Sequence, residues 1–149
     1  MVDPKQVRIG NWLSGTDDYN NYPMPVCVIG VDAKNIYFRF SGDNFDEELR
    51  IQEVYGGIKD LCNETFGIPL THEILERAGF VNFPSGNIDR WKKERFYLES
   101  NWFGAQGQYK FKWENMDHTG NTPNTKIQYL HQLQNLYFSL TGEELEINL

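Results

Sequence analysis

The chain has 149 residues, 40% hydrophobic and 23% charged, a balance that suits one compact domain or two small subdomains sharing a core and excludes a disordered chain. With 21 Asp and Glu against 14 Lys and Arg the formal net charge is −7, which opposes general binding of DNA or RNA backbones because such binding rests on neutralising phosphates. Aromatic residues are the outlier at 15%: rings fill core volume with few residues, and Tyr or Trp left near the surface can recognise a partner.

The N-terminal residues Met1 to Lys5 lack an apolar signal core, and no stretch approaches the roughly 20 apolar residues of a membrane span. A cytoplasmic location and no membrane partner are expected. Cys27 and Cys62 stand far apart with no CxxC pattern; a disulfide is open to them, but nothing in the spacing asks for one, and two buried free thiols in a reducing compartment are the favoured reading.

The first third reads as β-structure. Val7 to Leu13 is a short apolar-leaning run closed by Ser14 and Gly15, and Thr16 to Pro25 reads as a polar loop. Val26 to Val31 is continuous and largely β-branched, the pattern of a strand buried on both faces. Asp32 to Asn35 predicts a hairpin turn; after it Ile36, Phe38 and Phe40 alternate with Tyr37 and Arg39. Ser41 to Asn44 predicts another turn, and Leu49 to Gln52 a shorter strand. Several short strands at this spacing predict an SH3-like barrel or curled meander. The pattern breaks at Gly56 and Gly57, Ile58 to Phe66 reads as a short turn or strand, and the junction between subdomains is placed here.

Thr71 then stands where an N-cap belongs, with Leu70 and Leu75 spaced as a hydrophobic staple and Glu73 in the first turn. Gly79 supplies a left-handed C′ residue, after which Phe80 folds back on Leu75. The spacing predicts a two-turn helix over Thr71 to Ala78, held by packing of Ile74, Leu75 and Ala78 because two turns do not persist alone. From Arg95 the two-residue period returns, Phe96 and Leu98 alternating with Arg95, Tyr97 and Glu99. Trp102 to Gly107 is a Gly-bearing connection. Tyr109, Phe111 and Trp113 then alternate with Lys110 and Lys112, which predicts a strand with rings on one face and lysines on the other. Asn115 to Thr125 is polar loop. A second helix is predicted from Asn124 or Thr125 to Thr141, with Leu130, Leu133, Tyr137 and Leu140 as its apolar stripe and Gln128, His131, Gln132, Asn135 and Ser139 opposite. Gly142 is a C-cap, and Leu145, Ile147 and Leu149 alternate as a closing strand. There is no internal repeat or low-complexity tract.

Three segments taken together carry a resemblance: Arg8-Ile9-Gly10-Asn11-Trp12; Ile68-Pro69-Leu70-Thr71 through Gly79-Phe80; and Tyr129-Leu130-His131-Gln132-Leu133-Gln134-Asn135-Leu136-Tyr137-Phe138-Ser139-Leu140-Thr141-Gly142-Glu143-Glu144-Leu145. The set resembles a widespread group of proteins without an assigned activity from Bacteroidetes bacteria and their phages or mobile elements. The resemblance implies context and no chemistry, so no functional residue is carried over from it. The Thr16 to Pro25 loop and the lysine-aromatic strand have no place in the group's pattern.

Two sets of residues are candidates for a site. Trp91, Lys92, Lys93, Arg95 and Tyr97 with Lys110 and Lys112 form the densest basic-aromatic group. If Arg95 and the lysines share a sheet face, they can hold phosphates while Tyr97 or Trp91 stacks on a base. The plainer account is that these lysines coat the wet face of a half-buried sheet, as antiparallel strands routinely do. His131, Gln132 and Asn135, with Gln134, form a polar cluster that reads either as a hydrogen-bonding edge for a small ligand or as a solvated face or sheet-edge cap. The Tyr109, Phe111, Trp113 stripe reads as core packed under the second helix.

Catalytic patterns are missing. His72, His118 and His131 stand singly, with no HExxH, no Cys/His spacing for zinc, no GxSxG, no Walker loop and no GxGxxG. Asp17 with Asp18, and Asp43, Asp46, Glu47 and Glu48, read as solvated loop acids without EF-hand spacing. No cofactor or metal is expected.

The expected fold is α+β: residues 1–66 as an SH3-like β-subdomain, and residues 67–149 as a short helix, antiparallel strands, a long helix packed against the sheet and a final strand. The expected function is non-catalytic binding through a protein partner, in a phage or mobile-element context. A counter-defence sponge for a nucleotide immune signal is the alternative, and an enzyme with an unrecognised site the third.

Overall fold

A computed structural model describes residues 2–16, 23–33, 35–40, 50–53, 64–101, 108–113, 126–147 and 149. Among the described residues the architecture is α+β, with two five-stranded antiparallel sheets. The chain divides into two units, residues 1–68 with 130–135 and 149, and residues 69–129 with 136–148. Cys62, His118, the loop acids at 17–18 and 43–48, and the Trp102 to Gly107 and Asn115 to Thr125 segments lie outside the described residues.

The sheet of the first unit contains Trp12–Thr16 (β1), Met24–Val31 (β2), Asn35–Phe40 (β3), Arg50–Glu53 (β4) and Glu64–Phe66 (β5), in the order β4-β3-β2-β1-β5. Strand β2 is not buried on both faces as its β-branched run suggested. Val26 and Val28 face a core shared with Val2, Leu13, Ile36 and Phe38, whereas Ile29 is 36% exposed. A register shift between Val28 and Gly30 marks a bulge in the β2–β3 pairing. The turn into β3 is held by Asp32, whose carboxylate accepts from the Asn35 backbone N–H (2.8 Å) and the Tyr37 hydroxyl (2.7 Å). Close packing over β1 requires glycine at position 15: a Cβ there would meet Val26 Cγ1 at 2.7 Å.

Strand β1 also depends on a side chain from far along the chain. In an antiparallel strand alternate residues turn their N–H and C=O to opposite edges. Ser14 and Thr16 find β5 at one edge, but β5 runs out at Phe66, which leaves the Trp12 and Gly10 groups without a strand. Gln134 takes its place: its Oε1 accepts from Trp12 N–H at 2.9 Å and its Nε2 donates to the Gly10 carbonyl at 3.2 Å. Asn135 Nδ2 donates to the Gln6 carbonyl at 2.9 Å.

The sheet of the second unit contains Val81–Asn82 (β6), Ile88–Lys93 (β7), Phe96–Asn101 (β8), Tyr109–Trp113 (β9) and Lys126–Ile127 (β10), in the order β10-β9-β8-β7-β6. Before it comes the short helix His72–Arg77 (α1), capped as its sequence requires. Thr71 Oγ1 accepts from Ile74 N–H, and at the C-terminus Phe80 N–H reaches the Leu75 carbonyl while Gly79, at φ +79, bonds the Glu76 carbonyl. Lys93 Nζ donates to the Ala78 carbonyl at 2.7 Å, adding a cation at the negative end of the helix. Phe96 is the centre of the ring packing: its centroid lies 4.4 Å from Phe111, 5.6 Å from Tyr137 and 5.9 Å from Phe80.

Two expectations for the C-terminal third change. Helix α2 spans Leu130–Thr141 and begins later than 124–125, because Lys126 and Ile127 are extended and paired with Lys110 and Tyr109 of β9. The stretch from 128 to 130 is also engaged in backbone bonds, Leu70 N–H to the Gln128 carbonyl and Leu130 N–H to the Ile68 carbonyl. Leu130, Leu133 and Tyr137 of the expected stripe are buried, but Leu140 is 41% exposed, and His131 and Gln134 are buried. Residues 144–147 form no ladder; Leu145 and Ile147 are buried between exposed Glu144 and Glu146. Alternating burial needs only an extended chain against an apolar surface, not a partner strand.

Replacing Gln134 by Leu removes both bonds and leaves the Trp12 N–H and the Gly10 carbonyl, in half-buried positions, without them. The expected cost is about 2–4 kcal/mol, read as a lower urea midpoint with an unchanged slope.

Candidate functional site

The second sheet sorts its side chains by register. Trp91, Leu98 and Phe111 are cross-strand neighbours on one face, and all three are buried. One residue along, Lys92 pairs with Tyr97 and Tyr97 with Lys112, forming a row across β7, β8 and β9 on the opposite, outer face. The adjacent outer row is Arg90, Glu99, Lys110 and Lys126. Among the described residues this face therefore gathers five cations around one tyrosine and one carboxylate, on a chain whose net charge is −7.

Glu99 organises the cations. Its Oε1 accepts from Arg90 Nε at 3.0 Å and its Oε2 from Lys112 Nζ at 2.5 Å. Lys92 Nζ lies 5.0 Å from the centroid of the Tyr97 ring, and Phe83 meets that ring edge-on at 5.9 Å. The Glu99 carboxylate is 17% exposed and its two partners 31% and 47%, so each pair is half-exposed and contributes on the order of 1 kcal/mol, as does the half-exposed cation–π contact. A charged ligand that offers better partners can displace either.

Of the residues singled out in sequence, this face unites Lys92, Tyr97, Lys110 and Lys112. Trp91 and Lys93 are on the inner face, Trp91 buried and Lys93 engaged with Ala78. Arg95 does not share the face with the lysines: Lys93 pairs with Phe96, so Glu94 and Arg95 form the two-residue turn between β7 and β8, with Glu94 at φ +52. Arg90, Glu99, Lys126 and Phe83 were missed. Strand pairing places the first three, and their only sequence signal was the alternation of β8 and β9 extended to neighbouring strands.

The α2 cluster holds the fold. His131 is 2% exposed, Gln134 and Asn135 are bonded to backbone of the first unit, and Gln132 is half-buried. Burial pushes the His131 imidazole down to about 4, because the charged form loses its hydration.

On the inner side of the second sheet a further polar group surrounds Asp89, 13% exposed at its side chain. Its Oδ2 receives Trp91 Nε1–H at 3.0 Å and lies 2.9 Å from His72 Nε2, while Oδ1 receives Asn82 Nδ2–H at 2.7 Å. The His72 ring lies 5.1 Å from Trp91 at a tilt of 52°. Burial and the Asp89 charge push the Tyr109 phenol up to about 12, so it stays a neutral hydrogen-bonding group at neutral pH. Burial likewise raises the Cys27 thiol, which works against thiolate formation. Among the described residues no three His, Cys, Asp or Glu side chains group as metal ligands, and no helix is long and apolar enough to cross a membrane.

Compared with protein-family models, curated proteins and solved structures, the chain matches none of them.

His131 sets a pH dependence of stability. Its folded value near 4 lies below the ordinary 6.5, so the unfolded chain binds the extra proton. The contribution is complete above about pH 6.5 and is lost as pH falls towards 4, up to about 3 kcal/mol. Urea titrations of wild type and His131→Gln across this window should diverge, with the variant showing the flatter profile.

Proposed function

We propose that the chain is a non-catalytic binding protein that engages an anionic partner through the outer face of its second sheet. The observation that carries this reading is the reversal of sign: five cations share one face of a chain that is acidic overall. A local field of this kind orients an anionic partner and speeds its encounter while the rest of the surface repels it. The groups on this face are suited to holding charge. Lys and Arg donate hydrogen bonds, and the Glu99 carboxylate is engaged by two cations. An acidic protein surface and a nucleotide chain both meet the requirement.

Two further elements belong to the same proposal. The strand order of the first sheet, with β5 returning to pair with β1, supports an SH3-like reading of that unit by fold analogy alone. The phage or mobile-element context rests on the three sequence segments alone.

Lys110 and Lys126 are exposed and directly opposed across β9 and β10, so reversing both changes the field at little cost to packing. Wild type should be retained on an immobilised sulfated polysaccharide at low salt and elute as salt rises. The Lys110→Glu, Lys126→Glu double variant should pass unretained with an unchanged far-ultraviolet circular dichroism spectrum. A wild-type protein that passes through at low salt would refute the reading.

A further inference from the structure

We infer that the outer face of the second sheet binds a short single-stranded nucleic acid, with Tyr97 as the platform for one base; this rests on the binding reading above and names its ligand. Tyr97 lies on β8, the central strand of the sheet order β10-β9-β8-β7-β6, so it has a strand on either side and is remote from both edges. Its cross-strand neighbours are lysines on both sides, Lys92 and Lys112. Adjacent strands are about 4.8 Å apart, which sets the backbones bearing these lysines about 10 Å apart with the ring between them.

That arrangement matches the covalent structure of a nucleotide within a chain, which carries a phosphate on either side of its sugar. A base laid on Tyr97 directs its two phosphates towards opposite sides of the ring, where the strands carry one lysine each, Lys92 with its ammonium over the ring and Lys112 with its ammonium on Glu99. An acidic peptide would use the cations and leave the ring unused. A mononucleotide would use one flank. The row behind, with Arg90, Lys110 and Lys126, continues the positive surface for the phosphates that follow.

The existing contacts are weak enough to yield to a ligand. Lys92 is over the Tyr97 ring, and Glu99 holds Arg90 and Lys112. A base displaces the ammonium from the ring and gives it a phosphate oxygen. Phe83, edge-on to Tyr97, supports the platform from the side. Single strands are favoured over duplexes, because stacking on a sheet needs an unpaired base and a duplex can use the cations alone. The chain's acidity confines binding to this face, so affinity is modest and strongly dependent on salt.

The test is fluorescence anisotropy of a labelled oligo-dT of about ten nucleotides at low salt, with a duplex of equal length and a polyglutamate peptide as parallel probes. Wild type should bind the single strand, bind the duplex more weakly, and lose affinity as salt rises. Tyr97→Leu should weaken oligo-dT binding roughly tenfold, with Tyr97→Phe close to wild type; thermal melting of both variants reports on folding. Binding of polyglutamate but not oligo-dT overturns the nucleic-acid inference and leaves the general binding reading intact. Binding of neither removes both. Oligo-dT binding that a folded Tyr97→Leu protein retains in full also overturns the inference, since the ring would then have no part in it.

Discussion

The register of the hairpin between β7 and β8 governs what the second unit shows to solvent. Lys93 pairs with Phe96 across a two-residue turn, and from that pairing every other contact in the ladder follows by alternation. Moving β8 by one residue against its neighbours would turn its side chains to the opposite faces. Phe96 and Leu98, now buried, would meet water, and Tyr97 and Glu99 would be driven towards Phe80 and Tyr137. The apolar cost of that exchange makes the register strongly specified, so the row of lysine, tyrosine and lysine is as firmly placed as the core behind it. The turn carries a local cost: Glu94 adopts φ +52, a region that non-glycine residues visit at a penalty. Packing on the inner face supports it.

The inner face is not purely apolar, and its exceptions have partners. Lys93 points inward from β7 and satisfies the last turn of α1 through the Ala78 carbonyl, with its ammonium 5.6 Å from the Tyr137 ring. Asp89 points inward from the other end of β7 and takes bonds from Trp91 and Asn82 beside His72. A charge taken partly out of water needs hydrogen bonds in compensation, and these two half-buried residues find them by tying the strand to a neighbouring element. The first unit uses the same device with a neutral group, Gln134, which serves as the missing end of β5 for the backbone at Gly10 and Trp12. Polar side chains at these positions serve the architecture, which separates them from the cations that face water.

That separation bears on function. The acidic composition argues against a protein that coats itself with nucleic acid, yet composition averages over a surface that is not uniform. Sheet pairing concentrates Arg90, Lys92, Lys110, Lys112 and Lys126 on one face, and Glu99 holds two of them in place without cancelling the patch. A protein that binds as proposed would recruit its partner by charge and discriminate by what the tyrosine can stack upon, while the acidic remainder would discourage contacts elsewhere.

Local signals were legible in the chain itself. Thr71 and Gly79 bound α1 because an N-cap oxygen and a left-handed glycine act over three or four residues; the alternation of β3, β8 and β9 showed because one wet and one dry face write a two-residue period. Strand β7 was not legible, since Asp89 and Lys93 occupy its inward positions and erase that period. The start of α2 was misplaced because Lys126 and Ile127 are held extended by β9, a partner some 17 residues away in sequence. His131 and Gln134 read as polar surface because their burial is set by contacts of the folded unit. The sequence by itself determined the caps, the alternating strands and the identities of the cations. Which of those cations share a face, and that Arg95 is not among them, was decided by strand pairing, because hydrogen-bonded register is a long-range choice that no local run of residues encodes.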